Sequence, residues 1–156
     1  MEEQDFTFNR DVMIAVDESE NSFRAVSYVG RLLGGLDGCN AIIMHVINEP
    51  GEDYFSTPEE HEKWICHYKK KFKKILEKYH KELVIRGFHP DSVSTVFITR
   101  KYPSIVECIL SERDKNNFGT VVVGRHGIPR NEEFMFGSIS NIMVHHARNC
   151  AVWVIE

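Results

Sequence analysis

Glycines near the carboxyl terminus have a spacing that could place backbone N–H groups around a phosphate. Gly124 and Gly127 are three residues apart, and nine residues later Gly137 and Ser138 begin a segment of helical periodicity. Glycine lets the backbone approach a ligand closely, and the N–H groups of a helix start favour an anion. The stretch therefore predicts a phosphate site built from backbone N–H groups, with Ser138 and Ser140 as hydroxyl donors; the alternative is a loop whose glycines serve turn geometry alone.

The charged residues of this stretch leave several interpretations open. Arg125 and His126 lie between the first two glycines and could contact phosphates, or could be exposed or structural residues. Glu132 and Glu133 would repel phosphate unless they face solvent or a cation such as Mg²⁺ intervenes. Neither GxxxxGK[ST] nor GxGxxG after a strand occurs in the chain.

Five short apolar runs rich in β-branched residues predict the strands that position this stretch. Such runs are typical of strands covered on both faces, as in a parallel sheet. They begin at Val12, Ala41, Val93, Thr120 and Ala151.

Helical periodicity separates the strands and predicts a β-α-β-α-β-α-β-α-β order. The first helix follows Ser19 or Ser22, the longest carries an apolar stripe from Trp64 to Leu83, and the third begins near Pro103. This alternation predicts a parallel sheet with helices on both faces. Residues 48–60 are predicted to form a loop or lid before the longest helix.

Length and charge limit the classes of function. The 156 residues fit one domain, residues 1–156, and 19 Lys and Arg against 23 Asp and Glu give a net charge of −4. This balance argues against nucleic acid or an anionic membrane as partner and favours small molecules or proteins. The lysines between positions 69 and 74 are interpreted as a solvated helix face. Without a signal peptide or an apolar span, a cytoplasmic location is expected.

Three strand-to-helix turns should meet at one crevice, because ligands of open α/β sheets bind outside the carboxyl ends of the strands. The first strand ends in Ala15, Val16 and Asp17, and the second in His45, Val46 and Ile47. The fourth ends at Gly124. Asp17 could contact a ligand or stabilise the start of the next helix.

The sequence resembles the universal stress protein family. ATP-binding members carry a G-x2-G-x9-G-[ST] pattern, which reads here as Gly124-RH-Gly127, nine residues, and Gly137-Ser138. The segments VMIAVDESE, MHVINEP and AVWVIE also match the family. The resemblance implies a single-domain three-layer α/β sandwich, similar to adenine nucleotide α-hydrolases, with a five-stranded parallel sheet in the order 3-2-1-4-5 and two helices on each face.

The resemblance also implies roles for individual residues. Asp17 matches the acid that contacts adenosine, and the backbone of Val46 or Ile47 matches the position that meets the adenine edge. The implied cofactor is ATP, with or without Mg²⁺. The remaining nucleotide-binding candidates are Ala15, Val16, Gly124, Arg125, His126, Gly127, Gly137, Ser138, Ile139 and Ser140.

The expected function is therefore an ATP-binding regulatory protein of the stress response. It would act through nucleotide-dependent conformation or an unidentified protein partner. Two alternatives remain: a nucleotide-free protein-interaction module of the same family, and a slow ATPase. No catalytic residues and no metal site are predicted, since no Ser-His-Asp set or paired carboxylates are visible. An apolar edge strand at residues 151–155 predicts an antiparallel homodimer.

Overall fold

The computed structural model of the protein describes residues 9–100, 103–125 and 138–156, in which strands and helices alternate. The strands are β1 (Val12–Ala15), β2 (Ala41–Ile47), β3 (Val93–Thr99), β4 (Thr120–Gly124) and β5 (Ala151–Ile155). The helices are α1 (Glu20–Leu33), α2 (Pro58–Ile85), α3 (Ile105–Asn116) and α4 (Ser138–His146). All nine predicted elements are present.

The five strands form one parallel sheet in the order β3-β2-β1-β4-β5, which confirms the predicted topology. β1 is central: Ala15 pairs with Met44 of β2 on one side and with Val123 of β4 on the other. The chain moves outward from β1 to β2 and β3, then crosses to β4 on the opposite side. The strand order thus reverses between β1 and β4, the position at which open α/β sheets bind ligands.

One face of the sheet is covered by α1 and α2. Ile14 and Ile43 of the sheet lie in the same buried cluster as Val26 of α1 and Leu83 of α2, all fully buried. Burying one such aliphatic side chain contributes about 1.5–3 kcal/mol. Four residues of the predicted α2 stripe are buried, and these are Phe72, Leu76, Tyr79 and Leu83.

The opposite face is covered by α3 and α4. Because side chains alternate along a strand, Met13 and Met44 point away from Ile14 and Ile43. They join a second cluster that includes Val106, Cys108 and Ile109 of α3 and Met143 of α4. Two helices therefore lie on each face, as predicted.

The helix starts follow from local capping. Ser19 caps α1, Ser104 caps α3, and the Thr57 hydroxyl caps α2 by accepting from the Glu60 N–H. Pro58 occupies the first turn of α2, where its missing N–H costs nothing. The loop predicted for residues 48–60 therefore ends earlier than expected. No helix in the described parts of the chain has the length and apolar character needed to span a membrane.

Candidate functional site

The turn between β1 and α1 holds Asp17 through local hydrogen bonds. Asp17 Oδ1 accepts from the Ser19 N–H and from the Ser22 hydroxyl, both at 2.8 Å. The Asp17 N–H donates to the Ser22 hydroxyl oxygen at 2.9 Å. The carboxylate therefore stabilises the start of α1, which was one of the two roles that the sequence left open for Asp17. One carboxylate has about four lone-pair sites, so this role is compatible with contact to a ligand.

Two side chains from distant parts of the chain reach the same turn. His45 Nδ1 lies 2.7 Å from the carbonyl oxygen of Val16, and the Tyr79 hydroxyl donates to the carbonyl oxygen of Asp17 at 2.8 Å. Burial raises the pKa of Tyr79 well above its usual value, and the charges of Asp17 and Glu18 raise it further. The hydroxyl therefore keeps its proton at physiological pH and remains a donor.

The contacts of His45 and Tyr79 were missed by sequence reasoning. The sequence placed Tyr79 in an apolar helix stripe and His45 at a strand end, with no partner for either. The sequence does contain one indication: both residues are polar at positions where the pattern is otherwise apolar. Buried hydroxyl and imidazole groups have hydrogen-bond partners, so the pattern predicts that a partner exists but does not identify it.

The end of β2 distinguishes the two backbone positions that the sequence left open. The Met44 carbonyl accepts from the Val16 N–H at 2.9 Å. The Val46 carbonyl, two residues further, points to the same side and past the end of β1. The Ile47 carbonyl accepts from the Arg100 N–H at 3.1 Å, on the β3 side. Val46 thus directs its carbonyl toward the space beyond β1.

Gly124 ends β4 against the first turn of α1. A Cβ atom at this position would lie 3.0 Å from both the carbonyl carbon and the Cβ of Asn21. This distance is shorter than ordinary van der Waals contact. The close approach of α1 thus accounts for a glycine at position 124 without a ligand, whereas the sequence attributed it to a nearby phosphate.

Arg125 and the start of α4 are joined within the chain. The Arg125 N–H donates to the Ile155 carbonyl at 2.7 Å, and its guanidinium pairs with Glu156 at 2.6 Å on the surface. The Ser140 hydroxyl is buried and donates to the Arg125 carbonyl at 3.1 Å. Ile139 packs against the core beneath α3 and α4. Ser140 therefore ties the first turn of α4 to the end of β4.

The rest of the predicted phosphate stretch lies largely outside the described residues. His126, Gly127 and Gly137 belong to that part of the chain, as do Glu132 and Glu133. Ser138 is the first residue of α4. What the structure brings together is the carboxyl edge of β2, β1 and β4, with Ala15, Val16, Asp17, Val46, Ile47, Gly124 and Arg125.

Within residues 9–100, 103–125 and 138–156 there is no group of three or more His, Cys, Asp or Glu side chains positioned to hold a metal ion. His61 pairs instead with Glu49, with 2.6 Å between Nε2 and Oε2. This pair connects α2 to the segment that follows β2.

The fold and the site together define a class. An all-parallel α/β sheet with helices on both faces, and a polar turn where the strand order reverses, is a three-layer α/β protein of the type that binds ligands at this edge. The model of the universal stress protein family matches residues 9–156. The chain belongs to the universal stress protein family. No curated protein gives a significant match.

Solved structures show the same fold. One is MJ0577, the subject of a structure-based assignment of biochemical function, with a TM-score of 0.77, 22% identity, and coverage of 95% of this chain and 96% of that chain. A universal stress protein in complex with cAMP has a TM-score of 0.63 at 17% identity, covering 94% and 95%. The universal stress protein from Archaeoglobus fulgidus in complex with dAMP has a TM-score of 0.63 and 18% sequence identity, and the match covers 94% of this chain and 97% of that chain.

Proposed function

We propose that the protein is an ATP-binding regulatory protein of the stress response, acting as one domain over residues 1–156. The observation that carries the proposal is that Asp17 follows β1 and Val46 lies near the end of β2, so both residues lie at the carboxyl edge of two adjacent strands, beside the point where the strand order reverses. A carboxylate and a backbone carbonyl are acceptors for ribose hydroxyls and for an adenine amine. The nucleotide complexes of two similar structures, with cAMP and with dAMP, support an adenine nucleotide as ligand.

The base and sugar would be recognised at the first two strand ends. The Val46 carbonyl would accept from the exocyclic amine of adenine, which guanine lacks at that position. Asp17 would accept from the ribose. Ala15 and Val16 would line the approach with their backbone, and Ile47 would support β2 through its bond to Arg100.

The phosphates would lie toward Gly127, Gly137 and Ser138. The start of α4 favours an anion because its first N–H groups have no partner within the helix. The Ser140 hydroxyl donates to the Arg125 carbonyl, so Ser140 would act by fixing the helix start. Mg²⁺ would accompany ATP if Glu132 and Glu133 face the phosphates.

A second candidate function is a nucleotide-free interaction module of the same family. Two observations favour it: Gly124 is explained by packing against Asn21, and Asp17 by stabilisation of α1. In either case the protein would act in the cytoplasm through a protein partner. We expect hydrolysis of bound ATP to be slow, because the sequence contains no evident catalytic motif that would supply a positioned general base.

Calorimetric titration with ATP and Mg²⁺ separates the candidates, with GTP as the base control. We expect ATP to bind and GTP to bind at least about tenfold more weakly, the equivalent of about 1.4 kcal/mol. Asp17→Ala should weaken ATP and AMP alike, Ser138→Ala should weaken ATP more than adenosine, and Gly127→Val should have the largest effect. If the parent binds ATP and none of the variants differs from it, the nucleotide binds outside this site, whereas a parent that does not bind ATP favours the nucleotide-free module.

Mass spectrometry of the small molecule that remains with the purified protein provides an independent check. An adenine nucleotide in near-stoichiometric amount supports the proposal. A protein that purifies empty and does not bind added ATP contradicts it.

We further propose a homodimer joined through residues 151–155. β5 is an edge strand of the sheet, and Val154 is 38% exposed, whereas Trp153 packs against the core and edge-on against Tyr28. Val154→Lys is therefore a cleaner test than a change at Trp153. Light scattering should show a dimer for the parent and a monomer for Val154→Lys. A monomeric parent at micromolar concentration would rule the dimer out.

A further inference from the structure

The Val16–Asp17 turn is fixed by side chains that lie far away in the sequence. The Val16 carbonyl accepts from His45, 29 positions away, and the Asp17 carbonyl accepts from Tyr79, 62 positions away. The N–H groups of both residues also have partners, the Met44 carbonyl and the Ser22 hydroxyl. The turn is thus tied to β2, to α1 and to α2.

His45 is held in one orientation by its neighbours. A carbonyl only accepts, so Nδ1 must carry the proton shared with Val16, and Nε2 lies 2.7 Å from the Tyr68 hydroxyl oxygen, within hydrogen-bond distance. The imidazole lies parallel to the Phe72 ring, with 3.6 Å between centroids. His45 is 6% exposed, so this geometry is shielded from water.

Packing alone does not account for these polar groups. A phenylalanine in place of Tyr79 would cover almost the same apolar area, and the net contribution of one hydrogen bond to stability is modest. The hydroxyl and the imidazole instead fix the orientation of the two peptide planes on either side of the Asp17 Cα. Binding groups need to be held within about 0.5 Å of their productive position.

We propose that His45 and Tyr79 are positioning residues for nucleotide recognition, which hold the Val16–Asp17 turn so that the Asp17 carboxylate meets the ribose. This proposal rests on the proposed function. Tyr68 contributes indirectly to the same positioning, because its hydroxyl orients His45. None of the three side chains needs to touch the nucleotide.

The test is calorimetry on Tyr79→Phe and Tyr68→Phe, each of which removes a single hydroxyl. Tyr79→Phe should weaken adenosine, AMP and ATP by the same factor, about tenfold, because the affected contact is to the nucleoside. Tyr68→Phe should have the same profile with a smaller factor, about threefold, since it acts through His45. Tyr28→Phe, at a residue 46% exposed beside Trp153, is the matched control and should leave all three affinities unchanged.

A destabilised control distinguishes positioning from a general loss of structure. Val29→Ala removes buried apolar volume from α1 and should lower the melting temperature without changing nucleotide affinity at a temperature where the protein is folded. Equal affinity losses in Val29→Ala and Tyr79→Phe would overturn the proposal, as would a Tyr79→Phe effect on ATP alone. Parent-like affinity of Tyr79→Phe overturns the positioning role but leaves nucleotide binding standing. A parent that binds no adenine nucleotide overturns both.

Discussion

The two faces of the sheet carry different polar networks, at opposite ends of the strands. Beneath α1 and α2, His45, Tyr68 and Tyr79 form hydrogen bonds that reach the turn after the carboxyl end of β1. Beneath α3 and α4 the buried Arg113, 7% exposed, donates to three carbonyls of the loops that precede β4 and β5, at the amino edge. These carbonyls are those of Phe118, Arg148 and Asn149.

The position of each network indicates its role. Ligands of open α/β sheets bind at the carboxyl edge, so bonds made there can orient binding groups. Bonds at the amino edge hold the chain where it enters the sheet and serve stability. The same kind of interaction, a buried side chain that donates to backbone carbonyls, is thus expected to affect affinity on one face and only stability on the other.

The largest stability effect is expected from Arg113→Met. It leaves the carbonyl of the half-buried Phe118 without its donor, at a cost of about 1–3 kcal/mol, and removes two bonds to the exposed Arg148 and Asn149, at about 0.5–1.5 kcal/mol each. We expect the free energy of unfolding to fall by about 3 kcal/mol, measured by urea denaturation, with ATP affinity unchanged in the folded protein. Arg24→Met, which removes an exposed pair with Glu20, is the control and should cost below about 0.5 kcal/mol. A loss of nucleotide affinity in folded Arg113→Met would contradict the claim that the amino-edge network affects stability only.

Gly124→Ala should have an intermediate effect on stability and should also lower nucleotide affinity. The added methyl group would press on Asn21, and overpacking costs about 1–3 kcal/mol. Since Asn21 lies in the first turn of α1 beside Ser22, we expect ATP affinity to fall together with stability. Gly51→Ala is the matched control, because φ is −57° there and no atom lies within 4 Å of the new Cβ. Its unfolding midpoint in urea should lie at or slightly above that of the parent, because alanine lowers the conformational entropy of the unfolded chain. A neutral Gly124→Ala would contradict the packing explanation.

The smallest effect concerns pH. Burial raises the pKa of Tyr79 above that of a free tyrosine, about 10, so the folded protein retains a proton that the unfolded chain releases. This contribution to stability is complete below about pH 10 and is lost as the pH rises further. Between about pH 8 and about pH 10.5 the parent should lose more stability than Tyr79→Phe in urea denaturation. Identical curves for the parent and Tyr79→Phe would contradict the shift.

Much of the fold could be predicted from the sequence because its signals are local. Apolar runs predicted each strand, and Ser19 and Pro103 lie within two residues of the starts of α1 and α3. The start of α2 was misplaced because proline and acidic residues occur both in loops and in first helical turns, and Thr57 is the residue that decides. The strand order needed the family resemblance as well.

The site was less accessible to sequence reasoning because its geometry depends on long-range contacts. Asp17 and Val46 could be placed at strand ends, but whether Val46 or Ile47 faces the space beyond β1 depends on register with β1 and β3. The bond from Tyr79 spans 62 positions and leaves no periodic signal. The close approach of α1 to Gly124 likewise could not be read from the sequence.

The most direct test of the account is a titration of ¹⁵N-labelled protein with AMP, followed through backbone amide chemical shifts. The account predicts saturable shifts at the carboxyl edge, with Val16, Asp17 and Val46 among the largest. It predicts none at the amino edge around Phe118 and Asn149. Shifts centred on the Arg113 network, or no saturable shifts at millimolar AMP, would contradict the claim that the turn after β1 is the nucleotide site.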